Sequence, residues 1–127
     1  MTDCWASHLG LEEHDFRLIF GRTTIEFDPD KEEVNRAKHG YSLLSAVALM
    51  EQVLLPLSPS PPFATSDAFR ENDEIRHMHL GVDDGGKVVL IVSTMRPDET
   101  VRIISFRRAS SEERDRFAAM TGYVEPA

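Results

Sequence analysis

Residues 74–108 read EIRHMHLGVDDGGKVVLIVSTMRPDETVRIISFRR, and side-chain alternation along them predicts three antiparallel strands. From Glu74 to Val82, Arg76, Met78, Leu80 and Val82 fall on one face, and Ile75, His77 and His79 on the other. Asp83-Asp84-Gly85-Gly86 supplies the hairpin turn. Val88 to Val92 is apolar at every position, as expected of a central strand covered on both sides. Met95 to Glu99 then predicts a turn, and Val101 to Arg107 the returning strand. Immediately downstream, Ser110-Ser111-Glu112-Glu113 forms a capping box that predicts a helix to about Met120, stopped by Gly122.

Upstream of this sheet the signals are mainly helical. Asp28 suits an N-cap and Pro29 the first helical position, with Asp30, Glu32 and Glu33 in the first turn. Arg36, Lys38 and His39 complement the other end of the helix dipole, and Gly40 ends it. Ser42 predicts the cap of a second helix through Met50 or Gln52, with Leu43, Ala46, Val47 and Met50 on one face. The short Gly40-Tyr41 joint makes a helical corner, but the second helix lacks the basic residues of a DNA reader. Thr23 to Phe27 reads as a short strand, residues 11–20 (LEEHDFRLIF) as a short helix, and Val53 to Leu55 as a further short strand. Ser58 to Asn72 reads as a polar, proline-rich loop. The expected class is α+β, with N-terminal helices packed on a mainly antiparallel sheet and a C-terminal helix.

Composition narrows the function. At 127 residues, with 41% hydrophobic and 28% charged residues, the chain is sized for one globular core. The stretch Leu43–Leu57 is interrupted by Glu51, Gln52 and Pro56 and is too short to span a membrane. Early acids replace the cationic start of a secretory signal, and Cys4 is a lone cysteine, so a cytoplasmic location is expected. A net charge of −8 argues against a general nucleic-acid binder. The charge is uneven, however. Residues 1–35 hold nine acids against three bases, whereas residues 76–116 hold eight bases against seven acids, and all but one of those bases are arginine. Arginine grips phosphate and carboxylate bidentately, where lysine acts as a point charge.

Neighbouring antiparallel strand ends lie side by side, so Glu74, Arg76, His77 and His79 are expected near Arg96 and Arg102, with Arg107 and Arg108 further along. Metal-free RNA cleavage needs a base for the 2′-hydroxyl, cations for the charge developing on phosphorus, and an acid for the leaving oxygen. Glu74 or a histidine fits the base, a histidine the acid, and Arg96 with Arg102 a phosphate clamp. The same residues also fit a row of solvated salt bridges, each worth little. The five histidines show no metal-site spacing with cysteine and Gly85-Gly86 is no phosphate loop, so neither a metal nor a cofactor is expected.

The stretch Ile25 to Lys31 with Asn35 and Lys38-His39-Gly40, then Glu74-x-Arg76, Leu80-Gly81, Thr94-x-Arg96 and Arg102 to Ala109, ending in Glu113-Arg114, resembles the BrnT toxins. The resemblance spans about Ile25 to Met120. It implies a RelE-like fold and a small ribonuclease of a type II toxin–antitoxin pair. It also implies neutralisation by a BrnA-like antitoxin that carries a ribbon-helix-helix part. DNA would be met only indirectly, through that antitoxin. By resemblance, Lys38, His39, Glu74, Arg76, Arg96, Arg102 and Arg107 become candidates for RNA binding or cleavage. With the reading of the sheet, Glu74, His77, His79, Arg96 and Arg102 are the catalytic candidates, and Lys38, His39, Arg76, Arg107 and Arg108 the RNA-binding ones. The expected organisation is an N-terminal extension over residues 1–24, a toxin domain over 25–121 and a tail over 122–127. The alternative is a non-catalytic binding module of the same fold. Homodimerisation through the sheet edge is a further expectation.

Overall fold

A computed structural model describes residues 24–54, 62–66, 68–96 and 100–126. The elements in chain order are β1 (Thr24–Phe27), α1 (Pro29–His39), α2 (Leu43–Leu54), β2 (Ala64–Thr65), β3 (Phe69–Glu71), β4 (Glu74–Val82), β5 (Val88–Arg96), β6 (Thr100–Arg108) and α3 (Ser111–Thr121). The expected α+β class is found. The helix expected over residues 11–20 lies outside the described residues.

The helix ends follow their local chemistry. Asp28 Oδ1 accepts the Asp30 amide at 2.9 Å, and Gly40, at φ 76°, closes α1 by donating its N–H to the Arg36 carbonyl. Ser110 and Glu113 complete the capping box on α3, and Gly122 ends that helix at φ 81°. The start of α2 is capped in part from another element. Glu32, on α1, accepts the Leu43 amide and the Ser42 hydroxyl, so one carboxylate sets the angle of the corner. Three expectations are corrected. Val53 and Leu54 continue α2 rather than beginning a strand, because the apolar run keeps its helical hydrogen bonding. Within the expected 58–72 loop, β2 and β3 pair with β4, supplying ladder partners that the proline-rich sequence hides. Met95 and Arg96, expected in a turn, are the last residues of β5.

The sheet order is β1-β6-β5-β4-β2, with β3 also on β4. Only β1 against β6 is parallel among the described strand pairs. β5 is covered on both faces, as its unbroken apolar sequence predicts. Val89 and Ile91 join Leu43, Ala46, Val47 and Met50 of α2, while Val88 and Leu90 join Leu80 and Phe117 of α3. A bulge lies between β5 and β6: Val92 pairs with Ser105 but Ser93 with Ile103, so Ile104 is the extra residue. The shift puts both Ile103 and Phe106 into the core beneath α2.

β1 covers only the first part of β6, and α1 covers the next. Asn35 makes that join. Its Nδ2 donates to the Phe106 carbonyl at 2.8 Å and its Oδ1 accepts the Phe106 amide at 3.0 Å. A side-chain amide thus replaces a neighbouring strand at one position, and a second Nδ2 bond to the Tyr41 carbonyl ties in the corner. This explains a buried polar residue in an otherwise polar helix.

Candidate functional site

The register carries one row of side chains across four strands. Glu26 on β1 pairs with Arg102 on β6, Arg102 with Thr94 on β5, and Thr94 with Arg76 on β4. This row shares the face of Leu90 and Leu80, but α3 is seated at their end of it. Glu74 shares the face of Arg76, and Arg96 that of Thr94, by strand alternation. The structure therefore gathers Glu74, Arg76, Arg96 and Arg102, as expected, and adds Glu26.

Each half of the row is an arginine–carboxylate couple. Arg102 reaches Glu26 Oε2 through Nε at 3.1 Å and Nη2 at 2.9 Å. Arg76 reaches Glu74 Oε1 through Nε at 3.0 Å and Nη2 at 2.8 Å, and its Nη1 bonds Glu71. Between the couples, the Thr94 hydroxyl donates to the Ile75 carbonyl at 2.8 Å and is buried. Arg96 is exposed at the strand end. Such a surface holds two guanidinium groups in fixed orientation, because each donates two N–H groups to one carboxylate. It can present cations and carboxylates together to a phosphodiester.

The histidines are elsewhere. His77 and His79 share the opposite face, which is covered by α2 and Phe63, and are 1% and 0% exposed. His79 is built into the core. Its Nε2 meets Ser93 Oγ at 2.7 Å, its Nδ1 meets Thr65 Oγ1 at 3.0 Å, and its ring stacks on Phe63 at 5.6 Å. Burial, then the neighbouring His77, pushes its pKa well below the usual 6.5, so the ring is neutral. The expected meeting of these imidazoles with Glu74 and Arg96 in one open cleft does not occur. The sheet itself separates them, because adjacent strand residues point to opposite faces.

A second cationic group lies where α1 covers β6. Lys31, Lys38 and His39 line a shallow pocket of about 120 Å³ with Ile104 and Ser105. Burial, with Lys38 and Arg107 adding repulsion, lowers the His39 pKa, which marks a locally positive field. Arg107 itself is held by Glu113, with both contacts at 2.9 Å, and Arg108 by Glu125 at 2.7 and 2.9 Å. Among the described residues there is no cluster of histidine, cysteine and carboxylates suited to a metal ion. No helix among them is long and apolar enough to cross a membrane.

A family model described as the ribonuclease toxin, BrnT, of type II toxin–antitoxin systems matches residues 27–113, more than half of the chain. The chain belongs to the BrnT family. It is thus a member of a family of ribonuclease toxins whose systems pair each toxin with an antitoxin. Glu74, Arg76, Arg96 and Arg102 of this BrnT chain all lie inside the matched stretch, whereas most of α3 and the residues after it lie outside. Among solved structures, the Brucella abortus ribonuclease toxin BrnT is similar at 24% identity, with a TM-score of 0.49, over 70% of this chain and 99% of that one. No curated protein matches. Glu26 is the member of this candidate site that sequence reading missed. Its signal was present in the Ile25 to Lys31 motif, but its partner Arg102 is 76 positions away, and only the parallel pairing of β1 with β6 joins them.

Proposed function

We propose that this BrnT-family chain is an endoribonuclease that cleaves RNA without a metal ion and is held inactive by a BrnA-like antitoxin with a ribbon-helix-helix part. The observation that carries this reading is the row Glu26–Arg102–Thr94–Arg76 with Glu74 and Arg96 on the same sheet face. In this reading Arg96 and Arg102 hold the scissile phosphate. Glu74, oriented by Arg76, takes the 2′-hydroxyl proton, the 2′-oxygen bonds to phosphorus, and the P–O5′ bond breaks as the leaving 5′-oxygen takes a proton from solvent water. Lys38, His39 and Arg107 hold flanking nucleotides along the α1–β6 strip. His77 and His79 support the sheet from behind instead of reacting. Residues 25–121 act as the toxin domain, preceded by an extension and followed by a tail. The chain works in the cytoplasm, and copies associate through the sheet edge.

The second reading is a BrnT-like binding module without cleavage, and specific observations favour it. The imidazoles nearest Glu74 in sequence are buried, and Arg76, Arg102, Arg107 and Arg108 are each already matched by a carboxylate. Induced expression in a bacterial host separates the two. With an active ribonuclease, wild type arrests growth and loses intact RNA, and Arg102→Ala or Arg96→Ala relieves both at equal soluble expression. Purified wild type then cleaves RNA in the presence of a chelator. Normal growth with intact RNA selects the binding module, and toxicity unchanged in both variants removes the phosphate-clamp roles.

A further inference from the structure

After α3 the chain turns back at Gly122 and runs beside the β4–β5 hairpin. The Tyr123 ring packs against Phe117 with centroids 6.0 Å apart, and its hydroxyl donates to the Gly86 carbonyl at 2.6 Å. Val124 is 75% exposed. Glu125 then turns inward. Its carboxylate accepts the Val88 amide at 2.6 Å and Arg108 Nη2 at 2.7 and 2.9 Å, and lies 3.3 Å from Arg114 Nε.

One backbone N–H and two guanidinium groups from β5, β6 and α3 thus converge on a single anion. This is donor chemistry suited to a phosphate as much as to a carboxylate. The set also has a donor to spare: the buried Arg108 Nε meets no acceptor among the described residues. A cleft of about 350 Å³ opens beside it, lined in part by Val88, Arg114, Asp115 and Tyr123. We propose that Val88 N–H, Arg108 and Arg114 form a phosphate-binding cradle, and that Glu125 of the C-terminal tail occupies it as an intramolecular competitor. The tail, like Arg114 and most of α3, lies outside the matched 27–113 stretch.

Two features support displacement over permanent closure. The tail is held by the Tyr123 ring and hydroxyl and by the Glu125 carboxylate, with Val124 between them in solvent. Burial pushes the Glu125 carboxyl up, but the Val88 amide, Arg108 and Arg114 outweigh it and hold the pKa below the usual 4.5. The occupant is therefore an anion at neutral pH and exchanges for another without a change in net charge of the cradle. Asp115 on the same cleft repels any incoming anion, and a phosphate carried by a polymer can offset that repulsion with further contacts. Assigning that polymer as RNA rests on the proposed function; the cradle does not.

The test uses full-length protein and a 2′-O-methyl oligouridylate, which cannot be cleaved through its 2′-oxygen, followed by fluorescence anisotropy at several salt concentrations. Inorganic phosphate, read by its effect on melting temperature, is the second probe. Glu125→Gln is expected to bind the oligonucleotide several-fold more tightly than wild type, with a salt dependence steeper by about one phosphate contact. Adding Arg108→Ala should cancel the gain. Tyr123→Phe, which loosens the tail and leaves the cradle whole, should shift affinity the same way by less. A gain for phosphate alone supports the cradle and removes RNA as its ligand. Folded Glu125→Gln and Tyr123→Phe proteins that bind neither probe better than wild type would overturn the proposal.

Discussion

His79 shows how one side chain can be read as chemistry and prove to be architecture. Both ring nitrogens meet a hydroxyl in the core, and burial keeps the ring neutral. Its folded pKa is depressed, so between that value and the usual 6.5 the unfolded chain holds the extra proton. Stability is therefore complete above 6.5, falls as pH drops through that value, and levels off below the folded pKa. The urea midpoint should be lower at about pH 5 than at about pH 7.5, and His79→Gln should flatten the difference. An equal slope in the variant would assign the effect to another group. On the other face, Leu80 is fully buried, and Leu80→Ala should cost roughly 2–5 kcal/mol in urea unfolding. A near-neutral result would mean that this site collapses around the missing methyl groups.

Elements written in local chemistry were legible in advance. The ends of α1 and α3, the hairpin at Asp83 to Gly86 and the doubly covered β5 all depend on residues within a few positions of one another. β2 and β3 were not, since strands of two and three residues carry no periodicity and exist only because β4 offers partners. The bulge at Ile104 is similarly a property of two strands, not of one sequence. Asn35 is the best measure of such long-range joints. Asn35→Ala should lower the urea midpoint, at a cost of about 1–3 kcal/mol for each buried backbone group left unsatisfied. Asn35→Asp keeps the acceptor for the Phe106 amide but loses both donated bonds, and should also be destabilised. If Asn35→Ala unfolds like wild type, water replaces the amide and α1 is not pinned to β6 in this way.

Taken across the fold, two of the carboxylates that bind arginines, Glu113 and Glu125, also contribute to its acid limit. For Glu113, burial raises the pKa, but Arg107 and the Ser110 amide outweigh it; for Glu125, Val88 and two arginines do the same. Both folded values lie below the usual 4.5, so their stabilisation is present above 4.5 and is lost as pH falls through the folded values. Acid unfolding followed by circular dichroism should therefore begin at higher pH in wild type than in Glu113→Gln with Glu125→Gln, compared relative to each protein's neutral stability. An identical acid profile would place the proton uptake elsewhere. The same pairing shows why the site was only partly readable. Alternation already put Arg76 and His77 on opposite faces, yet closeness of strand ends had suggested one cleft for both. Helix ends, the hairpin and the apolar centre of β5 follow from the order of residues, because their interactions span a few positions of chain. Which arginine meets Glu26, which imidazoles lie beneath α2, and which carboxylate fills the Arg108–Arg114 cradle follow from packing, because those partners meet only when distant strands pair and each helix chooses a face.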